Sequence, residues 1–295
     1  MLAIIDQYRK EMAELAMFAN STVENYVSCV IAFTDYIKTR FHIEPVNCKG
    51  LHIISWMEKI LKTGVSASRF NHHRCALKSF FAFLQKIKIV NKNPVDALSP
   101  IRRTKSEKNK PISTENAFKL LGVFDRSTSI GKRNFLIVSI FWSLGLRLNE
   151  LTSLKVKSFE PDPSNRMGLL RIKGKNKKQR ALFVVDKLFD AFIDYLNDPA
   201  MALKKNGPLF PIRKGNAISN SRVRKMIKEH AKLAGISERV VPHVLRHSFA
   251  TEMYNSNVPI SDVQVMLGHD SVSETAVYVH VSDKLKKSAL DMIRI

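Results

Sequence analysis

The sequence predicts a mainly α-helical chain with a small β-hairpin: an all-helical N-terminal domain followed by a larger α+β domain. Apolar residues recur at three- and four-residue steps through most of the chain. Two β-rich runs around a glycine-containing turn interrupt that pattern at 169–185. A basic stretch of low apolar content, Ser99 to Pro111, separates the two parts. With 295 residues there is room for two domains, and 45% hydrophobic residues supply a sizeable core and exclude global disorder.

The first clear helix carries Val23, Tyr26, Val27, Val30, Phe33, Ile37 and Phe41 on one face, with Asn20-Ser21-Thr22 offering an N-cap and Glu24 in the first turn. A second runs from Ser66 to Ile87, with Phe70, Leu77, Phe80, Phe81 and Leu84 inward. Its outer side is assigned Arg69, His72, His73, Arg74 and Lys78, either a solvated face or, as preferred in so basic a chain, a DNA-facing one. Asn93-Pro94 ends this region. The boundary follows near 103–111, giving a helical domain over 1–103, a basic linker over 104–110 and a second domain over 111–295.

Beyond the linker, Ser113-Thr114-Glu115-Asn116 opens a helix, and Phe135 to Leu146 reads as a buried one. The hairpin places Lys175, Lys177 and Lys178 near its tip, where lysines commonly just stay in water. Helices then resume at roughly 186–197, 218–234, 243–256, 259–267, 271–279 and 283–293.

Charge narrows the function. Forty-eight Lys and Arg against 26 Asp and Glu leave a formal charge of +22. Self-repulsion of that size calls for an anionic partner, and nucleic acid, which releases counterions from each phosphate contact, is preferred over an anionic membrane. Cys29, Cys48 and Cys75 form no CxxC pair and have no His spaced for zinc, as suits reduced thiols in a cytoplasm. Asp6, Arg9, Lys10 and Glu11 interrupt the start, against a signal peptide. The uncharged run between Arg133 and Arg147 is too short to cross a bilayer, so a soluble protein is expected.

Four features of the second domain carry chemistry. Gly145-Leu146-Arg147-Leu148-Asn149-Glu150-Leu151 puts an arginine at the end of an apolar helix, where it needs an anion: Glu150 or a ligand. The hairpin lysines are the second feature. Pro242-His243-Val244-Leu245-Arg246-His247 is the third; Pro242 suits a first helical turn, and His243 and Arg246 share a face from which both can meet one ligand atom. The fourth is Leu267-Gly268-His269, with Gly268 as a C-cap and Tyr278 nine residues after His269.

Taken together, Arg147, Lys175, His243, Arg246, His269 and Tyr278 resemble, in order and spacing, the active-site set of the tyrosine recombinases, or phage-integrase family. The likeness is greatest to Xer-type recombinases and short phage or transposon integrases, and it covers nearly the whole chain. It implies a helical core-binding domain (SAM-like) and a catalytic domain closing on DNA as a C-shaped clamp. It also implies Tyr278 as nucleophile, forming a 3′-phosphotyrosyl bond. Arg147 and Arg246 would hold the phosphate by forked hydrogen bonds, and His243 and His269 would donate to its oxygens. Lys175 would protonate the leaving 5′-oxygen, with Lys173 the alternative. Glu150 is expected to orient Arg147, and His247 to be structural.

No cofactor, metal or ATP is expected: the arginines take the place of a metal, and the phosphotyrosyl ester stores the energy for rejoining. Arg69, His73, Arg74, Lys78, Arg102, Arg103 and Lys177 are the expected DNA contacts. The expected partners are double-stranded DNA with specific recombination sites, four protomers joined through a Holliday junction (identical, or mixed with a paralogous recombinase), and accessory proteins. A C-terminal helix, Asp283 to Ile293, would dock on a neighbouring protomer or on its own domain. Two departures stand out: Asn149 replaces a common serine, and Phe183 falls where many relatives have proline. The rival readings are a type IB topoisomerase, which relaxes DNA lacking any special sequence, and an inactive architectural DNA-binding protein.

Overall fold

The structure, a computed structural model, describes residues 1–14, 20–102, 110–174, 179–212 and 215–268. The chain divides into two compact units, Met1–Ser106 and Glu107–Ile295. Residues 103–109, which take in Arg103 and all of the linker but Lys110, lie outside the described residues, as do Lys175 to Lys178, residues 213 and 214, and everything from His269 on. The helices expected at 271–279 and 283–293 therefore fall outside as well.

Unit one holds α1 (Leu2–Glu14), α2 (Asn20–Phe41), α3 (Gly50–Lys62) and α4 (Ala67–Lys86). Asn20, Ser21 and Thr22, expected as a cap, belong to the first turn of α2 itself. The apolar stripe on α2 is borne out, with Val23, Val27, Val30, Phe33 and Ile37 all buried. They meet Leu77, Phe80, Phe81 and Leu84 of α4 in one core. Helices α1 and α3 go beyond the sequence reading; α3 buries Ile53, Trp56, Met57 and Ile60, a helical stripe in its own right. Ser66 caps α4 by accepting from the Arg69 amide. After α4 the chain folds back, and the Asn71 side chain grips both backbone groups of Ile101, donating to its carbonyl at 2.8 Å and accepting from its amide at 3.0 Å.

One placement on α4 is corrected. His73 is only 8% exposed and packs edge-on against Trp56, so it is not on the outer, DNA-facing side. Phe70, His73 and Leu77 are spaced by three and four, which puts His73 on the inner stripe. Burial, and after it the nearby Arg69 and His72, holds its pKa below the usual imidazole value, so the neutral ring is favoured. Arg69 and Lys78 are exposed and Arg74 is half-buried. Arg74 donates to the Leu98 carbonyl and Lys78 pairs with Asp96. Arg102 is exposed.

Unit two begins with α5 (Thr114–Gly122), capped by Ser113, and α6 (Ser129–Leu144), capped by Thr128. From Asn134 to Leu144 every residue of α6 is buried, as its uncharged, largely apolar run predicts. A short α7 (Leu148–Thr152) leads to a sheet of β1 (Phe159–Asp162), β2 (Met167–Lys173) and β3 (Gln179–Val185). The order β1-β2-β3 is antiparallel throughout, with Phe159 opposite Leu170 and Leu170 opposite Leu182. The sequence reading finds the β2–β3 hairpin but not β1, whose four residues include two with little strand preference, Pro161 and Asp162.

The inner face of the sheet, with Phe159, Leu170, Ile172, Leu182 and Val184, joins one core with α6 and α8 (Asp186–Leu196). Phe159 stacks on Phe192 at 4.3 Å. The chain continues through α9 (Asn220–Leu233), α10 (Pro242–Asn255) and α11 (Ile260–Leu267). Where described, the expected helices agree with these to within the usual uncertainty of helix ends. Helix α10 packs on α6 and has half of its residues buried; its Ser248 hydroxyl accepts from the Ile112 amide, fixing where the chain enters the unit. No helix among the described residues is long and apolar enough to cross a membrane.

Candidate active site

The site is assembled at the C-terminal end of α6. Gly145 ends that helix in the left-handed conformation (φ 60°), returning its amide to the Phe141 carbonyl. Buried Leu146 follows, and Arg147 then becomes the residue before α7. Three residues on, Glu150 turns back. Its Oε2 accepts from the Arg147 amide at 2.7 Å and its Oε1 from the Arg147 guanidinium at 3.1 Å. The expectation that Glu150 orients Arg147 matches this geometry.

Glu150 is 5% exposed, too buried for one half-exposed arginine to compensate it alone. The second partner is Arg180 on β3, whose two terminal nitrogens reach the two carboxylate oxygens, each at 2.8 Å. Burial opposes ionisation of Glu150. The hydrogen bonds and charge of Arg180, with the hydrogen bonds of Arg147, outweigh it and hold the carboxyl below the usual glutamate range.

Arg246, on the buried side of α10, donates to the Gly145 carbonyl and, at 2.8 Å, to the Leu267 carbonyl. Its pKa is pushed down to about 10, first by burial and then by Arg147, with Glu150 opposing and Arg180 adding to the effect. Arg147 also donates to the Gly268 carbonyl at 2.9 Å, so both predicted arginines reach the end of α11. Pro242 opens α10 as its sequence suggests; His243 is exposed in the first turn, with Arg246 one turn on. His247 is exposed and lies beside Thr251. Gly268 is the left-handed C-cap of α11, as expected.

Two guanidiniums, of Arg147 and Arg180, thus hold one carboxylate, and a third, of Arg246, lies within reach of its charge. Such a site attracts an anion, and the forked donors of Arg147, whose side chain is 43% exposed, suit a phosphate. Lys173 is exposed at the end of β2, while Lys175, Lys177, His269 and Tyr278 lie outside the described residues. The Asn149 side chain accepts from the Asn220 side-chain amide at 2.5 Å, tying α7 to α9. Phe183 sits on the outer side of β3, 37% exposed.

The sequence reading gives Arg180 no role in the site. A signal exists: Arg180, Leu182 and Val184 alternate along β3, so Arg180 is in phase with two buried residues and must find an anion inside.

Residues 4–89 match the phage integrase N-terminal SAM-like domain, and residues 110–284 match the phage integrase family proper. The chain belongs to the phage integrase family. This recombinase is 30% identical over 273 residues to tyrosine recombinase XerC of Thermodesulfovibrio yellowstonii, covering 90% of this chain and 87% of that one. It is likewise 30% identical over 278 residues to XerC of Bacillus pumilus, with 90% and 88% covered. Among solved structures it resembles the XerH site-specific recombinase bound to palindromic difH substrate in a post-cleavage complex (25% identity, TM-score 0.69, 84% of this chain and 73% of that chain). It shares the fold of a lambda integrase dimer bound to a COC′ core site (17% identity, TM-score 0.70, 93% and 96% covered). The enzyme is a site-specific tyrosine recombinase, and neither rival reading, topoisomerase or inactive architectural protein, is favoured by these relatives.

Proposed function

We propose that the recombinase cuts each DNA strand by attack of the Tyr278 hydroxyl on a backbone phosphate held by Arg147 and Arg246. The observation that supports this is the meeting of three arginines at the last carbonyls of α11, two of them also on buried Glu150, at the helix end from which the chain runs on to His269 and Tyr278. In-line attack spreads negative charge over the equatorial oxygens, and fixed guanidiniums facing them lower the barrier without reorganising. A cationic pocket also favours loss of the phenol proton, whose free pKa is near ~10. His243 and His269 add donors to the phosphate oxygens.

As the phosphorus–tyrosine bond forms, the bond to the 5′-oxygen breaks, and that oxygen takes a proton from Lys175. The strand is left as a 3′-phosphotyrosyl ester. A 5′-hydroxyl from the other duplex attacks this ester and expels the tyrosine, so rejoining needs no ATP. Two such exchanges in sequence pass through a Holliday junction in an assembly of four protomers, identical or mixed with a paralogous recombinase, acting on specific duplex sites. The helical domain over 1–103 and the catalytic domain over 111–295, joined by 104–110, divide the task of binding and chemistry. Arg69, Arg74, Lys78, Arg102, Arg103 and Lys177 serve as phosphate contacts, in keeping with the +22 charge.

A nicked duplex tests the reading, built on a site recovered from a randomised pool by binding to the Tyr278→Phe variant. The wild type is expected to become covalently attached to the 3′ end of the cut strand. Tyr278→Phe should bind the same duplex and form no adduct. An adduct that persists in the variant rules Tyr278 out as nucleophile.

The proton donor is tested separately with a 5′-bridging sulfur at the cut site, because a thiolate leaves without protonation. Lys175→Ala should be slow on the oxygen substrate and recover on the sulfur one. Recovery confined to Lys173→Ala would move the role to that residue.

A further inference from the structure

We propose that Arg180 is a positioning residue for the cleavage reaction: it holds Glu150, and through it Arg147, in the geometry that receives the phosphate. This rests on the reading of Arg147 as a phosphate-binding arginine given above.

The carboxylate of Glu150 is the shared point. Arg147 approaches it through one guanidinium nitrogen at 3.1 Å, leaving other donors of the group available, whereas Arg180 spans both oxygens at 2.8 Å. The two-oxygen grip fixes the plane of the carboxylate, and that plane sets the direction from which Arg147 is held. Arg180 is itself held. Its Nε donates to the Met266 carbonyl at 2.9 Å, and its side chain is only 12% exposed, so it is well placed to orient neighbours and poorly placed to meet DNA.

The same contacts tie down the end of α11. Met266, Leu267 and Gly268 present consecutive carbonyls, received by Arg180, Arg246 and Arg147 respectively. Carbonyls in the last turn of a helix have no partner within it, and cationic donors there are favoured by the helix dipole as well. Arg180 thus links the phosphate-binding arginine to the point from which His269 departs. Gly268 makes room for it: a Cβ there would lie 2.8 Å from an Arg180 nitrogen and 3.1 Å from the guanidinium carbon. The glycine of the Leu267-Gly268-His269 motif therefore serves Arg180 as well as the turn.

Without Arg180, Glu150 keeps, among the described residues, only Arg147 as a charged partner and draws the whole guanidinium toward itself, away from the phosphate. The effect on cleavage is that of a misplaced rather than a missing group, ~10- to 100-fold in rate. The test compares single-turnover cleavage by the wild type, Arg147→Ala, Arg180→Met and Gly268→Ala on the selected nicked duplex. Each is measured with the natural phosphate and with an uncharged methylphosphonate at the cut site.

If Arg180 acts through Arg147, Arg180→Met is slow on phosphate with its duplex affinity retained, and its deficit against the wild type closes on methylphosphonate, where no charge needs holding. Gly268→Ala, which keeps all three arginines but displaces Arg180, should show the same pattern. It also serves as the deciding variant should Arg180→Met not fold. Cleavage of the phosphate substrate at the wild-type rate by the deciding variant would overturn the proposal, as would an equal deficit on both substrates, the mark of general structural damage. If Arg147→Ala is not slowed on phosphate, the reading of the site itself fails; if it is slowed and the Arg180 and Gly268 variants are not, only this inference does.

Discussion

Glu150→Ala is expected to lower the stability of the second unit by about 3–5 kcal/mol and to abolish strand cleavage. The stability figure is the usual cost of removing one partner from a buried ion pair, and the partners left behind here are all cationic. Arg180, 12% exposed, would lose both bonds to the carboxylate, and Arg246 would lose the negative charge of Glu150 that opposes the effect of its burial. Urea unfolding followed by circular dichroism measures the first effect and adduct formation on the nicked duplex the second. A loss below about 1 kcal/mol, the level of an exposed pair, would contradict the buried network described here. The sign of the pH dependence follows from the lowered carboxyl pKa. The contribution of Glu150 is fully present above its unfolded value near 4.5 and is lost as pH falls through the lower folded one.

Gly145→Ala is expected to cost about 2–5 kcal/mol, from left-handed backbone strain plus overpacking. The backbone there has φ 60°, and an added Cβ would lie 2.4 Å from a ring carbon of Phe249 on α10, itself fully buried. Gly235→Ala separates the two causes. That glycine has φ 68° with nothing among the described residues within 4 Å of the added atom, so only the strain of about 1–2 kcal/mol should appear. Equal losses at both positions, measured by the same urea titration, would show that the contact between the end of α6 and Phe249 contributes nothing. Because Gly145 also presents its carbonyl to Arg246, the Gly145→Ala variant should lose cleavage along with stability.

Much of the fold is legible in the sequence. Helix α2 announced itself by a stripe that reappears almost residue for residue in the core, and α6 by a run with no polar face at all. Helix α3 was equally periodic, yet lacked a cap signal: Lys49 precedes it and its side chain makes no capping hydrogen bond. His73 reads as a surface residue by type, a histidine among arginines, yet its three-residue step from Phe70 puts it on the buried face. Strand β1 is defined by pairing with β2 rather than by its own composition.

The sequence by itself determined two domains, an anionic partner, and an ordered set of basic and nucleophilic residues with a family likeness. Those are properties of spacing, charge and side-chain chemistry, which are written along the chain. Only the tertiary structure decided that Glu150 is buried, that Arg180 closes on it, and that three arginines share the last carbonyls of α11. Residues 30 and 121 positions apart meet there. Their selection depends on unpaired charges and carbonyls that exist as a problem only once the chain has removed them from water.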